Sequence, residues 1–322
     1  MPIMVKQSPK DSANGPLKVP KGSVLSRAVP VEDLKEAHLK ICLYGQNRVG
    51  KTTLACGFPK PLLLISFESV ASGGAESVRK IPGVHYIHVV SNNSPLLKNG
   101  KASGEHITVR DYHILVQELQ ASPSSFRTVV GDGGTSAEEV ILANIMDLPT
   151  VPDQKSWGMV SGDQYRERSE LLRECLGPLL RLPIDTIVTA KEKDHNPPKE
   201  EKISEKTGKV QPDLRPMFLR GLHAGSFVAP ALGGASVGWL QDRCDICRLF
   251  VEEEEVVHTT KIGKNVNKSL IKTGKYVRYL RIAYHPNIQA GIRSCDPDKV
   301  PEVIQRPTPE MLTAIIRGSY EG

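Results

Sequence analysis

Eight consecutive residues constrain this chain more than any others: Gly45-Gln-Asn-Arg-Val-Gly50-Lys51-Thr52. They match G-x-x-x-x-G-K-[ST] in full. Residues 38–44 before them (HLKICLY) read as a strand, and residues 51–58 after them as a short helix stopped by Pro59. Strand, glycine-bounded turn and helix together make a phosphate cradle. The glycines let the backbone wrap closely around phosphate oxygens. Successive N–H groups at the helix start add positive potential. In this pattern Lys51 reaches the β- and γ-phosphates and Thr52 turns its hydroxyl to Mg²⁺. The expected nucleotide-binding residues are therefore Gly45, Gln46, Asn47, Arg48, Val49, Gly50, Lys51, Thr52 and Thr53.

The flanking chain fits that cradle. Residues 61–67 (PLLLISF) form a continuous apolar run, as a strand buried on both faces requires. Residues 84–90, 127–131 and 184–190 are further strands, and 109–119 and 136–146 are helices. Residues 164–182 are an amphipathic helix in which Leu172, Cys175, Leu176 and Leu179 recur at three- and four-residue spacing. Strands alternating with helices predict an α/β fold with a mostly parallel, doubly wound sheet and helices on both faces. Residues 191–215 break the pattern and read as a mobile loop or extended hairpin. Residues 244–251 and 276–284 are later strands, and 308–317 a terminal helix.

A phosphate-binding loop needs a second carboxylate on its metal side, at the end of a neighbouring strand. Thr128-Val-Val-Gly131-Asp132 supplies an apolar strand ending in Asp132, which would hold Mg²⁺ together with Thr52. Asp132 also opens the turn Asp-Gly-Gly-Thr, a sufficient local reason for an aspartate. Glu68 follows the strand at 61–67, and a carboxylate at a parallel strand's C-terminal end can activate a water. An ordinary solvated loop glutamate fits the same place. Lys51, Glu68 and Asp132 are the candidate catalytic residues. Thr189 and Lys191, at the end of the strand after the long helix, could sense a γ-phosphate.

The order of phosphate loop, strand to Glu68, strand to Asp132, long helix and strand IVTAKEKD resembles RecA-type P-loop ATPase cores. It is most similar to compact phage nucleotide-binding proteins of that lineage, several of them single-strand annealing recombinases. Trp157 ahead of the long helix, LPIDTIVTAKEKD and the ending YLRIAYHPNIQAGIRSCDPDKVPEVI look like the same family, so the likeness runs over about residues 38–317. The resemblance implies a RecA-like P-loop NTPase fold, ATP with Mg²⁺, homo-oligomers and single-stranded DNA, with a single-strand DNA-binding protein as a further partner. It maps Lys51, Thr52, Asp132 and Glu68 onto the family's ATPase positions. Gly131-Asp132-Gly133 departs from the bulkier apolar–Asp–Ser of RecA relatives, which bears on hydrolysis more than on binding. Arg293, in AGIRS, is a candidate for contacting a neighbouring subunit's γ-phosphate.

Charge adds a second element. The formal net charge is +6, but it is not spread evenly. Residues 256–285 hold seven basic residues and no acidic one, with Tyr276, Tyr279 and Tyr284 interleaved. Lys261, Lys264, Lys268, Lys272, Lys275 and Arg278 could track a phosphate backbone while a tyrosine stacks on a base. The competing account is a solvated hairpin whose lysines pair with Glu252–Glu255. The predicted organisation is a disordered basic tail (1–36), a core (37–255), a basic β-hairpin arm (256–285) and a C-terminal segment with a helix (286–322). Cys244-Asp-Ile-Cys247 stands alone, so zinc lacks a second ligand pair and buried strand cysteines are expected. No apolar run suits a membrane span, the N-terminus has no continuous apolar stretch for export, and six cysteines do not make a disulfide scaffold. A cytoplasmic protein is expected, in the host cytoplasm if phage-encoded. An ATP-dependent, DNA-acting recombination or annealing protein is the leading expectation. A ring-forming helicase- or terminase-like motor and a non-hydrolysing, nucleotide-gated DNA-binding module are the alternatives.

Overall fold

The computed structural model describes residues 37–68, 74–97, 104–150, 162–195, 227–262 and 265–321. Strands β1 (Lys40–Gly45) and β2 (Leu62–Ser66) show why the chain needs cover on both sides of a sheet. Ile41, Leu43, Leu62 and Leu64 enter one apolar cluster, while Cys42, Tyr44, Leu63 and Ile65 enter another. Side chains alternate across a strand, so two apolar sets on one strand demand two packed faces.

Helices supply both. On the first face α1 (Lys51–Ala55), α2 (Ala75–Val78) and α7 (Pro309–Ile316) contribute Leu54, Ala55, Val78, Leu312 and Ile315. On the other lie α3 (Val109–Ala121), α4 (Gly134–Ile145), α5 (Gly162–Leu180) and α6 (Gly234–Gln241). The periodic residues of α5, namely Leu172, Cys175, Leu176 and Leu179, all face that core. A capping box starts α3: the Thr108 side chain accepts from the Asp111 N–H at 3.1 Å, and the Asp111 carboxylate accepts from the Thr108 N–H at 3.2 Å.

The remaining strands are β3 (Val84–Val90), β4 (His106–Thr108), β5 (Thr128–Asp132), β6 (Asp185–His195), β7 (Phe227–Pro230), β8 (Asp245–Ile262), β9 (Asn265–Arg281) and β10 (Val303–Gln305). They lie in the order β10-β9-β8-β1-β6-β5-β2-β3-β4. From β8 to β4 neighbours are parallel, whereas β9 and β10 add antiparallel strands at one edge. The α/β class with a mostly parallel sheet and a C-terminal hairpin is thus the one expected from the sequence.

Three expectations change or narrow. First, β5 does not neighbour β1: β6 is inserted between them and pairs with both. Asp132 therefore approaches the phosphate loop across one intervening strand. Second, of the two readings of residues 191–215, a loop or an extended hairpin, residues 191–195 follow the hairpin. They extend β6 beyond the sheet and pair antiparallel with β7, Glu192 opposite Pro230 and His195 opposite Phe227. A bidentate contact holds that extension, Arg248 Nε and Nη2 meeting the Glu192 carboxylate at 2.8 and 3.1 Å. Third, the hairpin strands are longer than their apolar segments suggest. β8 and β9 pair from Arg248↔Arg281 to Ile262↔Asn265, because the β-branched residues of VVHTTKI keep an extended backbone where charge obscures the alternation. The tail at 1–36, Trp157, Lys264 and residues 196–215 lie outside the described residues. No helix among the described residues is long and apolar enough to cross a membrane.

Candidate nucleotide-binding site

The phosphate loop leaves β1 at Gly45, whose Cα packs against the Leu249 carbonyl of β8 so closely that a side chain there would collide with it. Val49 is buried in the core beneath the loop and anchors it. Arg48 and Gly50 take left-handed conformations (φ 65° and 95°), and no side chain caps α1 after Gly50. Lys51 folds back, its Nζ donating to the Gly45 and Gln46 carbonyls at 3.0 and 2.7 Å. Burial lowers the Lys51 pKa from its usual value, opposed by the nearby Asp132 and Glu68 carboxylates. Asn47, Arg48, Gly50, Lys51, Thr52 and Thr53 line a cleft of about 650 Å³, within the size range of small-molecule sites.

Glu68 and Asp132 line the same cleft. They converge because β2 and β5 are adjacent and parallel, with Ser66 opposite Asp132 at their C-terminal ends. Asp132 is 3% exposed. Its Oδ1 accepts hydroxyl bonds from Thr52 at 2.9 Å and Thr189 at 2.6 Å, while its buried Oδ2 has no hydrogen-bond partner. Burial raises the Asp132 pKa above the usual carboxylate value, and the Thr189 and Thr52 hydroxyls act against that rise. A buried, unpartnered carboxylate oxygen beside a threonine hydroxyl is a hard-oxygen donor set, and it fits Mg²⁺. Thr189 also accepts the Gly133 N–H at 2.9 Å, so its hydroxyl fixes Asp132 rather than standing free towards a ligand.

Glu68 is held by other residues. Its Oε1 accepts from the Ser136 hydroxyl at 3.0 Å and lies 3.7 Å from Lys191 Nζ. Gly133 (φ 85°) makes room for it, since a side-chain carbon at 133 would lie 2.9 Å from Glu68 Cγ. Gly131 lies under α5, where a side-chain carbon would be 3.3 Å from Leu179 Cδ2. The glycines around Asp132 therefore fit close neighbours, which accounts for the departure from a bulkier sequence there.

Sequence reasoning did not find Ser136, Gly74 or Arg278 as residues of this cleft. Gly74 packs directly on the Thr52 side chain, where a side chain could not fit; the pair Gly73-Gly74 after Glu68 was the available signal. Arg278, assigned from the charge pattern to nucleic acid, lies against Gly50 and lines the cleft. Elsewhere in the basic segment, Lys272 pairs with Glu253 at 3.7 Å, and Lys275 is exposed. Lys261 and Lys268 lie on the hairpin strands β8 and β9. Tyr279 stacks on Phe250, while Tyr276 is 73% exposed. Arg293 is paired with Asp245 at 3.1 Å, at the end of the sheet opposite the phosphate loop. Cys244 and Cys247 are buried where β8 begins.

Fold and site together define a P-loop NTPase domain. More particularly, the chain belongs to the AAA domain family, whose sequence profile matches residues 37–218. Among solved structures, a KaiC-like protein of the hyperthermophilic archaeon Pyrococcus horikoshii is similar at 12% identity and a TM-score of 0.33, over 83% of this chain and 89% of that one. No curated protein matches the sequence.

Proposed function

We propose that the chain hydrolyses ATP in this cleft and uses the nucleotide to control engagement of single-stranded DNA by the β8–β9 hairpin. The observation that carries the first half is the convergence of Lys51, Thr52, Glu68 and Asp132, from three separate segments, on one cleft. Lys51 would leave the Gly45 and Gln46 carbonyls for phosphate oxygens, a short swing between acceptors. Glu68 would accept a proton from water, with Ser136 and Lys191 holding its carboxylate for that transfer. Thr52 and Asp132 would hold Mg²⁺, which supplies charge neutralisation at the phosphate oxygens. Thr189 keeps Asp132 oriented.

The alignment of Glu68 is testable through its neighbour. Gly133→Ala places a carbon against Glu68 Cγ, and displacing a reacting group by about 1 Å lowers rates by about 10²-fold. Turnover should fall by roughly that factor while ATP affinity, measured by calorimetric titration, stays within about threefold. Loss of binding in proportion to turnover would mean that position 133 acts on the loop and not on Glu68.

The DNA half of the proposal rests on the charge of residues 256–285 and on the resemblance to single-strand annealing recombinases. The deciding experiment is ATP turnover with and without single-stranded DNA, expected to be stimulated. Replacing Lys261, Lys264, Lys268, Lys272 and Lys275 by Gln should weaken DNA binding. It should also flatten the salt dependence by up to about 3.5 in log–log slope, since each single-strand phosphate contact contributes about 0.7. Unchanged affinity and slope would remove the hairpin from the DNA site.

A further inference from the structure

Arg278 stands where the hairpin meets the nucleotide cleft. The pairing of β1 with β8 ends at Tyr44↔Arg248, while β8 and β9 run on with Val251 opposite Arg278. The base of the hairpin therefore overhangs the phosphate loop. A carbon added to Gly50 would lie 3.0 Å from both Cζ and Nε of Arg278, and 3.2 Å from Nη2. The same arginine lines the cleft that holds Lys51, Thr52, Glu68 and Asp132. It also walls a second cavity of about 790 Å³, with Arg48, Tyr276, Arg306 and Glu254, whose carboxylate is taken by Arg306 at 3.3 Å.

Its surroundings leave it available. Neighbouring cations of the hairpin base are engaged by carboxylates: Lys272 by Glu253, Arg306 by Glu254 and Arg281 by Glu302. Among the described residues no carboxylate pairs with the Arg278 guanidinium, which is exposed beside a loop built to receive anions. A guanidinium presents a planar fork of donors that matches phosphate oxygens in two-point contact. Position 50 is glycine in the phosphate-loop motif for the loop's own conformation. Here that glycine also admits the arginine.

We propose that Arg278 binds an oxygen of the terminal phosphate of a nucleoside triphosphate seated in the same chain's phosphate loop. It would thereby draw the base of the β8–β9 hairpin onto the cleft in the triphosphate state. The inference rests on the reading of the cleft as an ATP site. It assigns Arg278 to nucleotide and separates it from the lysines further along the hairpin. The coupling is mechanical: β9 runs from Arg278 to Lys268 through a bulge at Gly274 (φ 74°), where its pairing with β8 shifts register, so a shift at its base reaches the arm through that bulge.

The test uses the full chain with Mg²⁺. The non-hydrolysable triphosphate adenosine 5′-(β,γ-imido)triphosphate and ADP are titrated calorimetrically into wild type, Arg278→Ala, Arg278→Lys and Lys51→Ala. Arg278→Ala should weaken the triphosphate about tenfold or more and ADP by less than about threefold, as expected for loss of one charge-assisted contact. Arg278→Lys should recover only part, keeping charge without the fork. Amide exchange over residues 272–281 should slow when the triphosphate binds wild type, and not when it binds Arg278→Ala. If Arg278→Ala binds both nucleotides like wild type while Lys51→Ala binds neither, the role of Arg278 is overturned and the cleft assignment stands. Equal weakening for both nucleotides would overturn the terminal-phosphate assignment. Absence of nucleotide binding by wild type would overturn the cleft reading itself, and this inference with it.

Discussion

Lys51→Ala is expected to abolish nucleotide binding and turnover, the largest single effect in this protein. Lys51 is the cation at the centre of the phosphate loop, and among the described residues it donates to the Gly45 and Gln46 carbonyls. Those bonds hold the ammonium next to the position that phosphate oxygens would take. The alanine variant keeps the loop backbone but removes the charge, so binding by calorimetry should weaken at least ~10²-fold, the size of a lost charged contact at a water-poor site. Folding should not suffer. Burial lowers the Lys51 pKa, so the charged form is penalised in the folded state, and the folded protein binds fewer protons there than the unfolded chain. That penalty is present at neutral pH and fades as pH rises through the lowered pKa. Removing the lysine removes it, and the melting temperature without nucleotide should equal or exceed that of wild type. Unchanged ATP turnover in Lys51→Ala would overturn the phosphate-loop assignment.

Asp132→Asn should separate stability from activity in opposite directions. The carboxylate is buried, its Oδ2 has no partner, and burial is the main cause of its raised pKa. An acid with a raised folded-state pKa is bound to its proton more tightly when folded. Stability is therefore lost as pH climbs from the ordinary carboxylate range through the raised value. Asparagine has nearly the same shape, still accepts from Thr52 and Thr189, and carries no charge. The nucleotide-free variant should melt about 2 °C or more above wild type at pH 7, since 1 kcal/mol shifts a domain of this size by about 2–4 °C. The gain should shrink as pH is lowered. Glu138 and Asp245 are raised in the same direction, so the readout is the difference between variant and wild type across pH. Mg²⁺-dependent ATP turnover should meanwhile fall by at least ~10²-fold, because a neutral amide is a poor ligand for a hard cation. A variant that is both less stable and fully active would contradict the metal-side role of Asp132.

Much of this was legible along the chain. The motif at 45–52 depends on residues within one turn of each other, and so does the way glycine, lysine and threonine serve phosphate. The strands at 61–67 and 84–90 were readable because burial on a pleated backbone leaves a continuous or alternating apolar pattern. Glu68 and Asp132 could be placed at strand ends for the same reason. Short elements such as β4, β7 and α6 were not readable, since three to eight residues, two of them glycine in α6, carry too little periodicity. The fold divides the basic segment in one particular. Charge counting grouped Arg278 with the lysines, although the fold turns it towards the phosphate loop while Lys275 is exposed.

By itself, then, the amino-acid sequence determined a phosphate-binding loop on an α/β core, the two strand-end carboxylates and a basic C-terminal segment. Each of these is a statement about neighbours in the chain. Only the tertiary structure decided that β6 separates β1 from β5, and that Thr189 on β6 therefore reaches Asp132. It also decided that Ser136 holds Glu68 and that Arg278 overhangs Gly50. Strand order is set by how two apolar faces are covered by helices far apart in sequence. No local spacing encodes which strand ends will meet.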